Sequence, residues 1–356
     1  MDGTHLNNKI GIVGGGITGL ISAYFLSLEG YKVDLYEKKT LLSETSSKTT
    51  KLIHGGIRYL ENLQFHEVKN GINDRKWWLE NFPDETKLQE IIILSKKKLS
   101  PEIFKFFFGI KVYETFAGRS NIKTGRLYKQ DDLLSLGIKN NISAGISFYD
   151  GLMQESVGQE IIKRCKSNGV NFYENNEIKS IRSEGRIEEK QYKKIIIATG
   201  PWASSFLKQN KIDTNKTIDY IKGSHLIINR KIKKGLMFRD QKKHRYIFAL
   251  PYQGNLLLGT TEQRVRSPED NHVLDSEVNY LLESINIYID RPINKDEIIK
   301  SYSGVRPLIK SKAQDFHSSS RDFYIQKDHN LLSLFGGKWT TAPSIARNIV
   351  RIVNNE

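Results

Sequence analysis

The stretch Lys9-Ile-Gly-Ile-Val-Gly-Gly-Gly-Ile-Thr-Gly19 decides the fold of this chain. Its first five residues form a short apolar run, which predicts a buried β-strand that ends in glycines. Apolar side chains from Ile17 to about Leu28 recur at helical spacing, and Gly30 ends that predicted helix. A strand, a glycine-rich turn and a helix in this order are typical of the unit that binds the pyrophosphate of a dinucleotide.

The three spaced glycines have separate roles in such a unit. Gly14 permits the tight turn after the strand, Gly16 lets the backbone approach the pyrophosphate, and Gly19 lets the helix pack closely against the sheet. Backbone N–H groups at the start of the helix, together with its dipole, favour a negatively charged ligand. The alternative is a purely structural glycine turn, but the flanking strand and helix favour the binding interpretation.

An acidic residue follows the next strand. Tyr31–Tyr36 alternates between polar and apolar side chains and predicts a second strand, which ends at Glu37. Glu37 comes about 20 residues after the glycines, where a carboxylate accepts hydrogen bonds from ribose hydroxyls. It would repel a ribose 2′-phosphate.

Two later segments favour FAD over NAD as the dinucleotide. The run Glu44–Ile53 is rich in hydroxyl side chains, among them Ser46, Ser47, Thr49 and Thr50. Such a run has no place in a simple NAD dehydrogenase. Ile195–Trp202 reads as a strand that ends in Ala-Thr-Gly, a turn common in FAD proteins, although a plain buried strand is the alternative.

Composition limits the classes of protein and partner. The 356 residues, 38% of them hydrophobic, are enough for one or two domains with a large core. The formal charge of +15 comes mostly from lysines spread along the chain, which favours solvated faces over an anionic partner. No pattern of interleaved basic and aromatic residues indicates a nucleic-acid groove, so nucleic acid is not expected as a partner.

The expected location is the cytoplasm. Residues 1–8 lack an apolar signal region, no apolar run is long enough to span a bilayer, and the single Cys165 excludes an intrachain disulfide. One basic and aromatic segment, Lys96–Lys111, leaves two interpretations open. It forms a core helix with a charged flank, or it lies on an anionic surface, which would make the protein peripheral on the inner face of the membrane.

The order of predicted elements indicates an α/β fold in which two units are interleaved. Short strands are predicted at Gly169–Tyr173 and Ile178–Arg182, and a last helix at about Pro343–Val353. Tyr246–Leu250 and Asn255–Gly259 flank a Gln-Gly turn and predict an antiparallel hairpin. We therefore expect a Rossmann-like FAD-binding domain at 1–90, 145–205 and 325–356. A mostly antiparallel β substrate domain would occupy 91–144 and 206–324.

A series of motifs runs in order along nearly the whole chain. They are Gly14–Gly19, Ser46–Glu61, Tyr113–Arg119, Tyr149–Gly151, Ala198–Trp202, Lys222–His225, Gly259–Glu262, Gly304–Leu308 and Gly336–Thr341. Leu-Ile-His-Gly-Gly-Ile-Arg-Tyr-Leu-Glu, Gly-Val-Arg-Pro-Leu and Gly-Gly-Lys-Trp-Thr-Thr are the most specific of these motifs. With them, the chain resembles the FAD-dependent glycerol-3-phosphate dehydrogenases, within the D-amino-acid-oxidase-like superfamily.

The resemblance implies a substrate pocket for a small phosphomonoester. Its residues are Arg58, Tyr59, His225, Arg306 and Lys338, with His225 and Arg306 as the catalytic pair. Arginine binds phosphate oxygens in bidentate fashion, and lysine adds a point charge. His225 would take the C2 hydroxyl proton of sn-glycerol 3-phosphate while hydride passes to flavin N5, which yields dihydroxyacetone phosphate.

The residues expected at the cofactor follow from the same motifs. They are Gly14, Gly16, Ile17, Thr18, Gly19, Glu37, Lys38, Thr45, Ser46, Ser47, Leu52, His54, Gly55, Ile178, Thr199, Gly200, Trp202, Gly337, Lys338, Trp339 and Thr340. In the last motif, Thr340 or Thr341 would cap the final helix, and Pro343 would be tolerated in its first turn. That helix end and Lys338 would stabilise reduced flavin.

The chain departs from the family pattern in two places. Met153–Val157 lacks an arginine that the family usually carries there, and the sequence ends at Glu356, before the helical domain of bacterial and mitochondrial members. The expected electron acceptor is a quinone, with oxygen as the alternative. Two other functions stay open: an oxidase of an amino acid or hydroxy acid, and a non-catalytic FAD-binding electron-transfer subunit.

Overall fold

The computed structural model describes residues 8–56, 65–97, 106–111, 115, 124–240, 245–310 and 323–355. In chain order the strands are β1 (Lys9–Val13), β2 (Lys32–Tyr36), β3 (Leu52–Ile53), β4 (Thr86–Ser95), β5 (Leu127–Tyr128), β6 (Ala144–Met153), β7 (Asn171–Tyr173), β8 (Ile181–Arg182), β9 (Arg186–Ile187), β10 (Lys190–Gln191), β11 (Lys194–Ile197), β12 (Ile218–Ile228), β13 (Gly235–Asp240), β14 (Arg245–Tyr252), β15 (Asn255–Gly259), β16 (Gln263–Val265), β17 (Ile298–Ile309), β18 (Phe323–Asp328) and β19 (Leu331–Gly336). The α-helices are α1 (Ile17–Leu28), α2 (Phe65–Asn81), α3 (Gln130–Leu134), α4 (Val157–Ser167), α5 (Ala203–Gln209), α6 (Asp275–Asn286) and α7 (Ala342–Asn354).

The glycine-rich turn follows the central strand β1 of a mostly parallel sheet, which has the strand order β18-β19-β11-β1-β2-β7. β1 pairs in parallel with β2 and β11, so that Val13 is level with both Tyr36 and Ile197. The carboxyl ends of these strands therefore meet at one edge, where ligands of open α/β sheets bind. The predicted strand, turn, helix and second strand are all present.

Helices and a small sheet cover the two faces of this parallel sheet. α1 packs against α7 and α4, and the core between them contains the fully buried Leu20, Ile21 and Ile349. On the other face, the three-stranded sheet β8–β10 brings Ile187 and Tyr192 over Gly11. Burial on both faces explains why β1 and β11 read as continuous apolar runs.

The second sheet is mostly antiparallel and has the order β16-β12-β15-β14-β13-β4-β6-β3. β17 pairs along the whole of β12, and this pairing places Arg306 level with Ile221. The predicted hairpin is confirmed as β14 and β15, whose turn residues Gln253 and Gly254 have φ of 50° and 76°. Two successive left-handed residues give the turn a twist that matches the flanking strands.

The two sheets are interleaved along the chain, as expected from the order of elements. The parallel sheet takes strands from 9–36, 171–197 and 323–336, whereas the antiparallel sheet takes strands from 52–153 and 218–309. The predicted domain boundaries stay a prediction. Strand β4 crosses the predicted boundary between residues 90 and 91, and it pairs with β6 along its whole length, from Thr86 to Ser95.

Element bounds differ from the sequence prediction mainly where strands are short. The last helix begins one residue earlier than predicted and ends one residue later. The predicted strands at 169–173 and 178–182 are reduced to β7 and β8, because only three and two of their residues pair with a neighbour. Across the described part of the chain, no helix has the length and apolar character needed to cross a membrane.

Candidate active site

A cavity of about 600 Å³ extends from the carboxyl edge of the parallel sheet to the face of β12 and β17. Most of the residues predicted for the site line it. They are Gly14, Gly16, Ile17, Thr18, Glu37, Lys38, Thr45, Ser46, Leu52, His54, Ile178, Thr199, Gly200, Trp202, His225, Arg306, Gly337, Lys338, Trp339 and Thr340. Gly19, Ser47 and Gly55 lie behind the wall, and Arg58 and Tyr59 fall outside the described residues.

The glycine-rich turn is closely packed against the neighbouring backbone. A Cβ at Gly14, where φ is 111°, would overlap the carbonyl group of Ala198, and a Cβ at Gly19 would overlap the carbonyl oxygen of Gly14. A Cβ at Gly16 would lie 3.2 Å from Ser46 Oγ. Gly14 and Gly19 are therefore required by packing, and Gly16 leaves bare backbone exposed to the cavity, as a pyrophosphate requires.

The hydroxyl-rich segment Thr45–Ser47 lies at the N-terminus of α1. Ser46 Oγ accepts a hydrogen bond from the Ile17 N–H at 3.0 Å, and its carbonyl oxygen accepts one from Trp339 Nε1 at 2.8 Å. Thr45 Oγ1 donates to the Val305 carbonyl oxygen at 3.1 Å, whereas the Ser47 hydroxyl bonds to carbonyl groups of its own turn. The segment thus joins α1 to β17 and to the last motif.

Glu37 is fixed at the end of β2 by backbone hydrogen bonds. Its carboxylate accepts the Gly15 N–H at 2.7 Å and the Lys39 N–H at 2.9 Å. Each carboxylate oxygen has a second lone pair, so ribose hydroxyls can still bind there. Nearby, Lys38 Nζ lies 4.1 Å from the centroid of the Trp202 ring.

The last motif forms the opposite wall. Gly336 and Gly337 have φ of 71° and 83°, and a Cβ at Gly337 would lie 2.7 Å from Ile345 Cδ1. Thr341 occupies the N-cap position of α7, but its hydroxyl bonds with the backbone of Lys338 and does not cap the helix. The main-chain N–H groups at the start of α7 therefore lack a side-chain cap from Thr341.

His225 is held tightly on β12. Its side chain is buried, its ring stacks on Tyr302 with centroids 4.9 Å apart, and a Cβ at Gly259 would overlap the imidazole. Nε2 is hydrogen-bonded with Thr50 Oγ1 at 2.9 Å. Burial, together with the neighbouring charges of Arg306, Lys51 and Arg245, lowers the pKa of His225 to about 3. The imidazole is therefore neutral at pH 7 and can accept a proton.

Two arginines and a carboxylate lie beside His225. Arg306 Nη2 is 3.5 Å from Glu262 Oε1, and Arg245 Nη1 is 3.8 Å from Glu262 Oε2. All three side chains line the cavity. The two guanidinium groups bring positive charge to the cavity, which favours an anionic ligand.

A buried ion pair supports the strand that carries His225. Lys222 Nζ lies 2.8 Å from Glu277 Oε2, and both side chains are buried. Thr261 Oγ1 donates to Glu277 and accepts the N–H of Ser224, at 2.7 and 2.8 Å. Although burial raises the pKa of Glu277, the hydrogen bonds from Lys222 and Thr261 hold it below its usual value. The Lys-Gly-Ser-His motif thus anchors β12 to α6.

Sequence reasoning missed several residues of the site. Arg245 and Glu262 line the cavity, as do Asp150 and Glu269, and so does Thr50, which the sequence indicated only as one hydroxyl of the run Glu44–Ile53. Glu269 Oε1 accepts a hydrogen bond from Trp202 Nε1 at 2.6 Å, which connects the loop after β16 to the nucleotide end. Glu262 and Asp150 belong to motifs quoted above, so their position in those motifs was the available signal. Arg245 had no such signal.

The described residues fit FAD. The bare backbone at Gly16 and the N-terminus of α1 suit a pyrophosphate, and Glu37 suits a ribose. Gly337, Trp339 and His54 line the same cavity as His225, and a flat ring system would lie against such a wall. The cavity is also within the range of volumes known for cofactor sites.

Comparison with known proteins agrees with this assignment. The glycerol-3-phosphate dehydrogenase of Pseudomonas tolaasii is 28% identical over 375 residues, which cover 95% of this chain and 70% of that protein. The aerobic glycerol-3-phosphate dehydrogenase of Staphylococcus saprophyticus is 29% identical over 368 residues, 96% of this chain and 66% of that protein. The chain thus spans about two thirds of the length of these relatives.

A solved structure shares the fold. The FAD-bound L-α-glycerophosphate oxidase of Mycoplasma pneumoniae superposes with a TM-score of 0.78 at 20% identity, over 97% of this chain and 94% of that one. The sequence profile of the DAO family, FAD dependent oxidoreductases, matches residues 9–352. The cavity, its glycine turn and this match over nearly the whole chain agree: the protein belongs to the DAO family of FAD-dependent oxidoreductases.

Proposed function

We propose that this protein oxidises sn-glycerol 3-phosphate to dihydroxyacetone phosphate. The observation that carries the proposal is the arrangement around His225, where a buried neutral imidazole lies in the same cavity as Arg306, Arg245 and Lys338. A base next to several cations suits an alcohol that carries a phosphate. The names of the relatives reported above support the same substrate.

The cations would bind the phosphate group. Arg306 and Arg245 can each present a planar pair of N–H donors, and Lys338 adds a third positive charge. Glu262 offsets one of these charges and limits the orientations of both arginine side chains. On the resemblance described above, Arg58 and Tyr59 are proposed as further substrate contacts.

His225 would remove the proton from the C2 hydroxyl group. Its Nε2 atom is hydrogen-bonded with Thr50 Oγ1. A bound phosphate brings negative charge near the imidazole, which raises its pKa and improves it as a base. FAD, when bound, supplies the hydride acceptor. The residues proposed to hold it are the cofactor-binding residues named above.

A helical segment at 106–111 supports contact with a membrane surface, where a quinone acceptor would be found. Phe106 is buried against Tyr246, with ring centroids 5.6 Å apart, whereas Phe107 and Phe108 are 41% and 71% exposed. Lys111 lies beside Phe107. Exposed aromatic rings with neighbouring lysine charge suit an anionic interface.

Sedimentation with anionic vesicles tests this contact. We expect the protein to bind at low salt and to be released at high salt, and F108S to bind less than the wild type. The control is L134S, which replaces another exposed apolar residue on α3. Equal binding by F108S and the wild type would refute the contribution of this segment.

Anaerobic reduction of the flavin tests the proposed reaction. The purified protein should show a flavin spectrum, and sn-glycerol 3-phosphate should bleach its visible band without oxygen. If the flavin stays oxidised with this substrate but bleaches with an amino acid or a hydroxy acid, the proposed substrate is wrong. Reduction by glycerol as readily as by its phosphate would contradict the role of the cations.

A further inference from the structure

Two side chains at the nucleotide end join the strands on either side of β1. In the parallel sheet β1 lies between β11 and β2. Lys38 follows β2, and Trp202 follows β11. Lys38 Nζ lies 4.1 Å from the centroid of the Trp202 ring, which is within the range of a cation–π contact. This contact therefore connects the ends of the two strands that flank the glycine turn.

Glu269 adds a contact from the antiparallel part of the chain. Its Oε1 atom accepts a hydrogen bond from Trp202 Nε1 at 2.6 Å, and its Oε2 atom accepts one from Ser267 Oγ. The hydrogen bonds from Ser267 and Trp202 hold the pKa of Glu269 below its usual value. The carboxylate is therefore ionised at pH 7, and the hydrogen bond from the indole is charge-assisted.

Lys38, Trp202 and Glu269 lie at the rim of the cavity. All three line it, yet Lys38 and Glu269 are exposed and Trp202 is half-buried. Residues that face both the cavity and water mark the place where the cavity meets solvent. The two contacts of the indole therefore form a continuous connection along this rim, from the end of β2, through the end of β11, to the loop after β16.

The loop that carries Glu269 is held in place by the strands of the substrate end. This loop, residues 266–274, runs from β16 to α6. The carbonyl oxygen of Asn271 accepts a hydrogen bond from Ser303 Oγ on β17. The carbonyl oxygen of His272 accepts one from Lys222 Nζ on β12 at 2.9 Å. Side chains of β12 and β17 therefore fix the position from which Glu269 reaches Trp202.

The two contacts restrain the indole in different directions. Lys38 lies against the face of the ring, whereas Glu269 binds the N–H group at its edge. The hydrogen bond is the directional one of the two, so it fixes the rotation of the ring about its own side-chain bonds. A large aromatic ring held at the rim shields a bound ligand from water, and a ring that is free to turn does so less well.

We infer that Glu269 is a further residue of the cofactor site, which holds the Trp202 indole at the nucleotide end and thereby slows the dissociation of FAD. Glu269 is a positioning residue, because it acts through Trp202. It comes from the antiparallel part of the chain, outside the glycine fingerprint. The inference depends on membership of the FAD-dependent family and not on the identity of the substrate.

The rate at which the holoprotein releases FAD tests this role. The holoprotein is diluted, and free FAD is followed by the rise of its fluorescence. E269A should release FAD about fivefold faster than the wild type, as expected for the loss of a charge-assisted hydrogen bond that is partly exposed to water. E269Q keeps an oxygen acceptor for the indole N–H, so its rate should lie between those of the wild type and E269A. The matched control is E283A, which replaces an exposed carboxylate on α6 that does not line the cavity and should leave the rate unchanged.

A double-mutant cycle tests whether Glu269 acts through Trp202. W202F keeps an aromatic ring but lacks the N–H donor, so W202F/E269A should release FAD no faster than the faster of the two single variants. The melting temperature of E269A at saturating FAD should equal that of the wild type, because the contact is local. Wild-type release by E269A, equal rates for E269Q and E269A, additive effects in the double variant, or a lowered melting temperature of E269A would each overturn the inference.

Discussion

The nucleotide end and the substrate end of the cavity are built in different ways. At the nucleotide end, one contiguous segment, 14–19, supplies the turn and the helix start, and the contacts are made mostly by backbone groups. At the substrate end, His225, Arg245 and Arg306 come from three different strands and act through their side chains. The first end depends on local sequence, and the second depends on how distant strands pair.

The two ends should therefore fail in different ways. The nucleotide end has no room for a Cβ at Gly14 or Gly19, because both glycines touch backbone groups that cannot move away. The proposed substrate end contains a neutral imidazole and two arginines beside a carboxylate, and single side chains can be exchanged there without moving the backbone. Mutations at the nucleotide end should therefore abolish FAD binding, whereas mutations at the substrate end should lower turnover and leave FAD bound.

The largest effect is expected at Gly19. G19V would force α1 away from the carbonyl oxygen of Gly14, so FAD binding should be lost and the holoprotein should not form. The measurement is the flavin content of the purified protein. G30N is the control, because no atom lies within 4 Å of a Cβ at Gly30 and asparagine tolerates its φ of 83°. Stoichiometric FAD in G19V would contradict the packing argument.

Replacing His225 should leave the nucleotide end intact. H225Q is expected to bind FAD as the wild type does but to reduce it about 10²–10⁴-fold more slowly with sn-glycerol 3-phosphate, the usual contribution of a positioned base. Stopped-flow absorbance of the flavin measures the rate, and KM should change far less than kcat. H329Q, at an exposed histidine on the loop after β18, serves as the control. An unchanged rate would exclude His225 as the base.

The same residue should make folding stability depend on pH. The pKa of His225 is depressed to about 3 in the folded protein, whereas an unfolded histidine titrates near 6.5. Between these values the unfolded chain binds the extra proton, so the free energy of unfolding falls as the pH falls. Relative to H225Q, the wild type should lose about 1.4 kcal/mol per pH unit below pH 6.5. Urea unfolding of both proteins at pH 7, 6 and 5 measures this, and parallel pH dependences would refute it.

The smallest effect is expected at Thr50. T50V keeps the shape of the side chain but removes the hydrogen bond with His225 Nε2, which should slow flavin reduction about tenfold. T50S restores a hydroxyl and should recover most of the rate. Both rates are read from the same stopped-flow experiment. Equal rates for T50V and T50S would show that this hydrogen bond does not affect the imidazole.

Local patterns predicted the parts of the fold that depend on neighbours in sequence. The strand–turn–helix at 9–28, the β14–β15 hairpin and the last helix follow from spacing and turn residues that lie within a short window. Strands β7 and β8 were overestimated in length, because the extent of pairing depends on their partners. The predicted family and FAD cofactor were confirmed by the match to the DAO family. Both could be predicted because each motif that indicates them is contiguous in sequence.

The rest of the site depends on strand register. Thr50 meets His225 across 175 residues of chain, and no local pattern indicates this contact. Arg245 and Glu262 come together with Arg306 only because β14, β15 and β17 lie in the same sheet. Thr341 was expected as one possible cap of the last helix, but its hydroxyl bonds with the backbone of Lys338. The two glycines before Lys338 have positive φ and reverse the direction of the chain there.

The hydrogen bond from Trp339 Nε1 to the Ser46 carbonyl oxygen joins residues 293 positions apart. A nascent chain on the ribosome would therefore possess the glycine turn long before it possesses the opposite wall. We expect FAD to be captured only after the segment around Trp339 has left the exit tunnel, which makes cofactor insertion a late step of biosynthesis. Stalled chains that end before this segment should not retain flavin, and retention by such chains would show that the first wall is sufficient.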